Sequence, residues 1–212
     1  MLRGVSGAWN NWFRVTIHTY GSWLPGDPRG HRTRHHHDRV GGDYKRRPEN
    51  RPERRAHHAF AQELMQRSPV RLTRAERLVV CAELTASLRR HRVLVAICSV
   101  DANHADVLAK FSDEMSDALV ARVARLSESR NAGLAPVRHL IGIAKKDAAR
   151  ARRDRGHTET GGVWAKRSRC QPVRDRAHQV AAFRYIGRHE REGAFVVQVR
   201  DRDRKDERNA SF

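Results

Sequence analysis

Three features of this 212-residue chain predict an α+β fold built on one antiparallel sheet. Short runs with strand character recur among longer amphipathic stretches with helix character, in no strict alternation. Two of those runs, Val93 to Val100 and His104 to Phe111, are separated only by Asp101-Ala-Asn103, the length of a hairpin turn. The other strand candidates are joined through helical stretches, so helices must pack on the sheet they form.

Taken in order, Trp12 to Tyr20 (WFRVTIHTY) alternates, with Phe13, Val15 and Ile17 on one side and Arg14, Thr16 and His18 on the other. The breaker-rich GSWLPGDPRG ends it. Residues 29–58 carry arginine, histidine and prolines 48 and 52 with hardly an aliphatic side chain, which predicts a long basic insertion loop, mobile without ligand. Its three consecutive histidines, His35 to His37, suit a solvated loop facing a polyanion better than one metal ion, because adjacent residues rarely converge. A short helix is expected at 56–67. Thr73-Arg-Ala-Glu76 is a capping box opening a helix that buries Leu78, Val79, Ala82, Leu84 and Leu88 and frays near Arg92. Val93 to Val100 (VLVAICSV) is apolar on both sides, the mark of a strand covered on both faces. Its hairpin partner points Ala105, Val107, Ala109 and Phe111 one way and His104, Asp106, Leu108 and Lys110 the other.

Asp113 to Arg125 has a charged helical pattern, and Ser127 to Pro136 reads as a linker. Pro136 then starts a helix in which Val137, Leu140, Ile141 and Ala144 pack while Lys145, Lys146, Arg150, Arg152, Arg153 and Arg155 stay wet. Gly161-Gly162 leads into a strand at VWAKRSRCQPV. Asp175 is an N-cap for a helix that runs until Gly193, with Val180, Phe183, Ile186 and Gly187 on its apolar face. Ala194 to Val199 closes as a strand. The resulting β-α-β-β-α-β core is the split βαβ, ferredoxin-like arrangement, with a further helix and strand beside it. One domain is expected over 1–199, with a charged, disordered tail at 200–212.

Composition narrows the partners. Lysine and arginine number 43 against 24 acids, a formal charge of +19 that a polyanion would relieve, so nucleic acid is the first partner to consider. No apolar run reaches the ~18 residues of a spanning helix, and the N-terminus lacks the apolar core of a secretory signal. The 3 cysteines show no CxxC spacing, so neither a disulfide framework nor a zinc knuckle is indicated, and a cytoplasmic location is expected.

Chemistry concentrates in two places. On the last helix, His178, Ala182, Tyr185 and His189 share a face, beside a basic face of Arg184, Arg188 and Arg191. A phenol and an imidazole one turn apart, ~5–6 Å, can address one metal-bound phosphate, and they equally suit the wet edge of an amphipathic helix. On the hairpin, His104 and Asp106 leave the same strand face. With a third ligand from the helix they would form a site for Mg²⁺ or Mn²⁺ that tolerates Zn²⁺, while alone they suit a polar pair on an open sheet face.

The sequence Asn103-His104-Ala105-Asp106 on the second strand of a hairpin precedes, by about eighty residues, a helix bearing Tyr185 and a polar ligand one turn on. This arrangement resembles the HUH single-tyrosine transposases, especially the REP-associated tyrosine transposases. The resemblance runs from about Trp12 to Val199 through FRVTIHTYGSWLPGDPRG, ANHADVLAKF, IGIAKK, VWAKR and FRYIGRH. It implies a ferredoxin-like fold and metal-dependent cleavage and rejoining of single-stranded DNA through a covalent 5′-phosphotyrosine, the chemistry of DNA transposition. The family's nucleophile falls on Tyr185 and its first motif histidine on His104. Its second histidine falls on Asp106, and its third ligand, often Gln, on His189. These two departures fit either an altered metal preference or a domesticated hairpin binder. His178 is a candidate proton shuttle. Single-stranded or hairpin DNA would meet Arg14, Trp23, Arg29, Lys145, Lys146, Arg184 and Arg188. Trp23, Tyr20 or Trp164 would stack on bases, although Trp164 also suits the core. The resemblance also allows a homodimer with active sites completed in trans. A basic RNA-binding protein is the alternative of another class, and a histidine-rich metal store is a more distant one.

Overall fold

A computed structural model of the protein describes residues 8–27, 52–111, 134–157 and 161–199. After a 3-10 turn at Trp9–Asn11 the elements are β1 (Trp12–Thr19), α1 (Pro52–Glu63), α2 (Arg74–Arg90), β2 (Leu94–Val100), β3 (His104–Lys110), α3 (Ala135–Arg153), β4 (Trp164–Pro172) and α4 (Arg176–Arg188). A 3-10 turn at His189–Glu192 and β5 (Phe195–Gln198) complete the set. The fold is α+β. Among the described residues five strands make one sheet in the order β4-β1-β3-β2-β5, every neighbouring pair antiparallel. No helix among the described residues is long and apolar enough to cross a membrane.

Strand alternation gives the sheet two different faces. Phe13, Val15 and Ile17 of β1 and Ala105, Val107 and Ala109 of β3 point to the face covered by α2 and α3, where Leu84, Leu88, Leu140, Ile141 and Ala144 close the main core. Each such leucine or isoleucine contributes ~1.5–3 kcal/mol by leaving water. The opposite face is apolar only at one end. There Trp12, Ile97 and Leu108 meet Ala182 and Ile186 of α4 in a smaller core. The other end of that face carries Arg14, Thr16, His18, His104 and Asp106, so α4 docks on its apolar half and runs out over the polar half.

Local signals explain most element ends. Thr73 caps α2 in a reciprocal box with Glu76, and Asp175 caps α4 by accepting from the His178 N–H at 2.7 Å. Pro136 lies in the first turn of α3. Gly193, at φ +88°, takes the left-handed conformation that ends the chain of turns after α4.

Several expectations need correction. The first helix spans Pro52–Glu63 rather than 56–67, so the end of the basic segment is helical, a proline at the first helical position being compatible with a start there. On α2, Val80 and Cys81 are buried while Leu78 and Ala82 face solvent. Apolar residues occur on every side of that helix, so periodicity could not set its rotation. Arg152 is not wet: it is 3 % exposed and paired with Glu76. The helix carrying Tyr185 ends as an α-helix at Arg188, and His189 begins a tighter turn. The expected helix at Asp113 to Arg125, the start of the linker at Ser127, residues 29–51 with Arg29 and His35 to His37, and the 200–212 tail lie outside the described residues.

Candidate metal centre and its cleft

Pairing of β1 with β3 sets Thr16 opposite Asp106 and His18 opposite His104, and β2 sets Ser99 opposite Asp106. These side chains share the polar half of the face that α4 overhangs. The turn after α4 then lowers His189 onto it. One ligand atom from each of His104, Asp106 and His189 lies within 4.8 Å of the others. His104 Nε2 is 3.7 Å and His189 Nδ1 3.9 Å from the same oxygen, Oδ2 of Asp106. The two imidazoles meet edge to face at 5.4 Å. Asp106 is 1 % and His189 6 % exposed.

The surroundings orient this set. Thr16 Oγ1 donates to Asp106 Oδ1 at 2.6 Å, and Arg14 reaches the same oxygen through Nη2 at 3.3 Å and Nε at 3.4 Å. Oδ1 is thereby occupied, and Oδ2 is left facing the histidines. Asn103 Oδ1 lies 2.8 Å from His104 Nδ1, so that nitrogen donates and Nε2 turns its lone pair toward Asp106. Ser99 Oγ lies 3.2 Å from His189 Nδ1 and fixes that ring. Burial pushes His104 below the usual histidine range, against the opposing pull of Asp106 and Asp101, and so favours the neutral ring a metal requires.

A divalent ion fits these donors. Metal–ligand bonds of ~2.0–2.2 Å at tetrahedral or octahedral angles put ligand atoms ~3.0–3.6 Å apart. The spacings here are 3.7 Å and 3.9 Å from Asp106 to the two histidines and up to 4.8 Å across the set, so the side chains close in by roughly 1 Å at the widest pair to hold an ion. Two imidazole nitrogens and one carboxylate oxygen suit a first-row divalent cation or Mg²⁺, and the buried carboxylate supplies the one formal negative charge.

Beside the cluster stands Tyr185, 44 % exposed, its ring 4.8 Å from that of His189 and edge to face with it. The Arg14 guanidinium lies 4.1 Å from the Tyr185 ring centre, so one arginine touches both the phenol and the candidate ligand Asp106. His18 and Trp23 extend the wall, with ring centres 5.8 Å apart, and Arg169 and Glu192 complete it. The whole is a cleft of about 620 Å³.

Of the residues expected to act, His104, Asp106, His189 and Tyr185 are brought together, and Arg14 and Trp23 join them. His178 does not: its Nδ1 accepts from the Arg174 N–H at the start of α4. Lys145 belongs to the helix layer on the other sheet face. There its Nζ donates to the Ala165 carbonyl at 2.8 Å, and burial lowers its pKa, so it joins α3 to β4 rather than standing free for phosphate. Lys146, Arg184 and Arg188 are exposed, Arg184 beside a separate groove. Trp164 packs on the main core and donates its indole N–H to the Lys145 carbonyl, while Tyr20 stacks under Arg67. Sequence reasoning missed Thr16, His18, Ser99 and Asn103 as partners of the site. The alternation of β1 held a signal for the first two, but the pairing of β1 with β3, ninety residues apart, did not show in the chain.

No family model matches the chain, and neither do curated proteins or solved structures, so what the cleft does follows from its own side chains.

Proposed function

We propose that this protein is a metal-dependent strand transferase of the HUH single-tyrosine type, cutting and rejoining single-stranded DNA. The observation that carries the proposal is the meeting of a His–Asp–His cluster with a half-exposed tyrosine in one cleft. The sheet order β4-β1-β3-β2, with α2 and α3 on one face, supports reading the core as ferredoxin-like and β5 as an addition.

In this reading Tyr185 attacks the phosphorus, giving up its proton as the phenolic oxygen bonds. The 3′-oxygen leaves and takes a proton, so the products are a 5′-phosphotyrosine and a free 3′-hydroxyl. Attack by a 3′-hydroxyl reverses the step and restores a phosphodiester without an added energy source. Mg²⁺ or Mn²⁺ held by His104, Asp106 and His189 would supply charge neutralisation at the phosphate. Arg14 holds the phenol against the cluster, and His18 and Arg169 add cationic or hydrogen-bonding groups along the path of a strand. All four central groups meet within one chain. The +19 charge favours a polyanionic substrate.

The test is incubation with single-stranded oligonucleotides and Mn²⁺ followed by a denaturing gel. The expected result is a protein–DNA adduct that disappears in Tyr185→Phe and with a chelator. Absence of any adduct across hairpin-bearing and unstructured strands would defeat the nuclease reading. A second reading, a binder of the same fold that no longer cleaves, draws on one observation. Arg14 and Thr16 satisfy Asp106 without any ion, so the carboxylate has a place in the fold even if metal never binds.

A further inference from the structure

A second concavity of about 540 Å³ lies between α4 and the sheet, and the chemistry above does not use it. Three aromatic side chains line it, Trp9, Trp12 and Phe183, together with the buried amide of Gln179. Arg176 and Arg184 stand at its rim, and among the described residues no carboxylate lines it. Arg176 donates to Gln179 Oε1, which leaves the amide N–H₂ of Gln179 and the guanidinium of Arg184 as the polar groups open to a ligand. A planar heteroaromatic group carried on an anionic tether is the ligand such a set fits: rings for the ring, guanidinium for the phosphate, an amide N–H for an edge.

Its position ties it to the metal cluster. Leu108 in the groove floor follows Asp106 by two residues on the same face of β3, about 6.7 Å along the strand. Trp12 precedes Arg14 by the same step on β1, and Arg184 is the neighbour of Tyr185 on α4. A strand whose phosphate lies at the cluster therefore passes the groove within the reach of one unstacked nucleotide. We infer that this groove receives an unpaired nucleobase of the strand held in the metal cleft, Arg184 taking the adjoining phosphate. The inference rests on the nucleic-acid reading of that cleft, and it adds a specificity site distinct from the cutting residues.

Binding separates the two claims. The probes are a single-stranded oligothymidylate and the same strand with abasic sites replacing alternate bases, each titrated against full-length Tyr185→Phe protein without divalent metal. The expected outcome is about tenfold tighter binding of the base-bearing strand, with quenching of tryptophan fluorescence. Ala96→Phe, which fills the groove from β2, abolishes that preference, and Val180→Phe does so from the helix side if the first variant folds poorly. Arg184→Gln weakens both strands and lowers the salt slope by about one. Equal affinity for the two strands, an unchanged preference in the folded filling variants, or no binding of either strand overturns the inference. A change of oligomeric state on filling also overturns it, since a second copy would then be the occupant. Loss of adduct formation by wild-type protein, with base preference intact, would count against the nuclease reading alone.

Discussion

At the scale of single residues, Asp106 decides what the cleft is. A carboxylate with no counterion and 1 % exposure would carry a large desolvation cost, and here Arg14 and Thr16 answer it through Oδ1. That division of labour leaves Oδ2 for the two imidazoles. It also places the Arg14 charge against both the buried carboxylate and the ring of Tyr185. Groups that orient a metal ligand affect affinity nearly as strongly as the ligand itself. Arg14→Gln should therefore lower Mn²⁺ affinity about 10–100-fold in isothermal titration, with Asp106→Asn lowering it at least as far. Equal Mn²⁺ affinity in wild type and Arg14→Gln would show that Oδ1 is not part of the device.

At the scale of elements, α4 is the lever that brings Tyr185 and His189 to the sheet, and its start is fixed by one side chain. Asp175 accepts from the His178 N–H, so Asp175→Ala should cost about 1 kcal/mol in urea unfolding and lengthen the fraying at the start of α4. An Asp175→Ser variant, which can still cap, should recover most of the loss. Signals of this kind were legible in the chain: the Thr73–Glu76 box, Pro136, Asp175 and Gly193 each stand where an element begins or ends. The alternation of β1 and β3 was legible too, because a strand has only two faces to choose between. The rotation of α2 was not, since residues 78–82 are apolar in every direction and only packing against both the sheet and α3 chose Val80 and Cys81. Nor could the chain reveal which arginine is buried. Arg152 stands in a row of exposed basic residues, and its partner Glu76 is seventy-six positions away. The His–Asp–His set was within reach because two members share a strand and the third sits one turn from Tyr185. The side chains that aim them were hidden by the β1–β3 pairing.

At the scale of the whole molecule, a chain of formal charge +19 still buries an ion pair between two helices, Arg152 with Glu76. Glu76 is 2 % exposed and bonded at once to the Thr73 N–H at 2.6 Å and to Arg152 Nε at 2.5 Å, with His157 Nδ1 at 3.3 Å. Burial by itself raises its pKa. The hydrogen bonds from Thr73 and Arg152 and the Arg152 charge outweigh that and hold it below the ordinary value of 4.5. A carboxyl whose folded pKa lies below its unfolded one adds stability that is complete above the unfolded value and is lost as pH falls through the folded one. Stability should accordingly decline as pH drops below about 4.5, and the decline should be shallower in Glu76→Gln. At neutral pH the same variant leaves a buried guanidinium without its charge partner and should cost ~3–5 kcal/mol in urea unfolding. A double replacement, Glu76→Leu with Arg152→Met, removes both charges together and should recover part of that loss, though it also removes the Thr73 capping bond. If Glu76→Gln unfolds at the wild-type urea midpoint, the pair between α2 and α3 is not what joins those helices. The apolar contacts of Leu84, Leu88, Leu140 and Ile141 would then carry the layer beneath the candidate site without it.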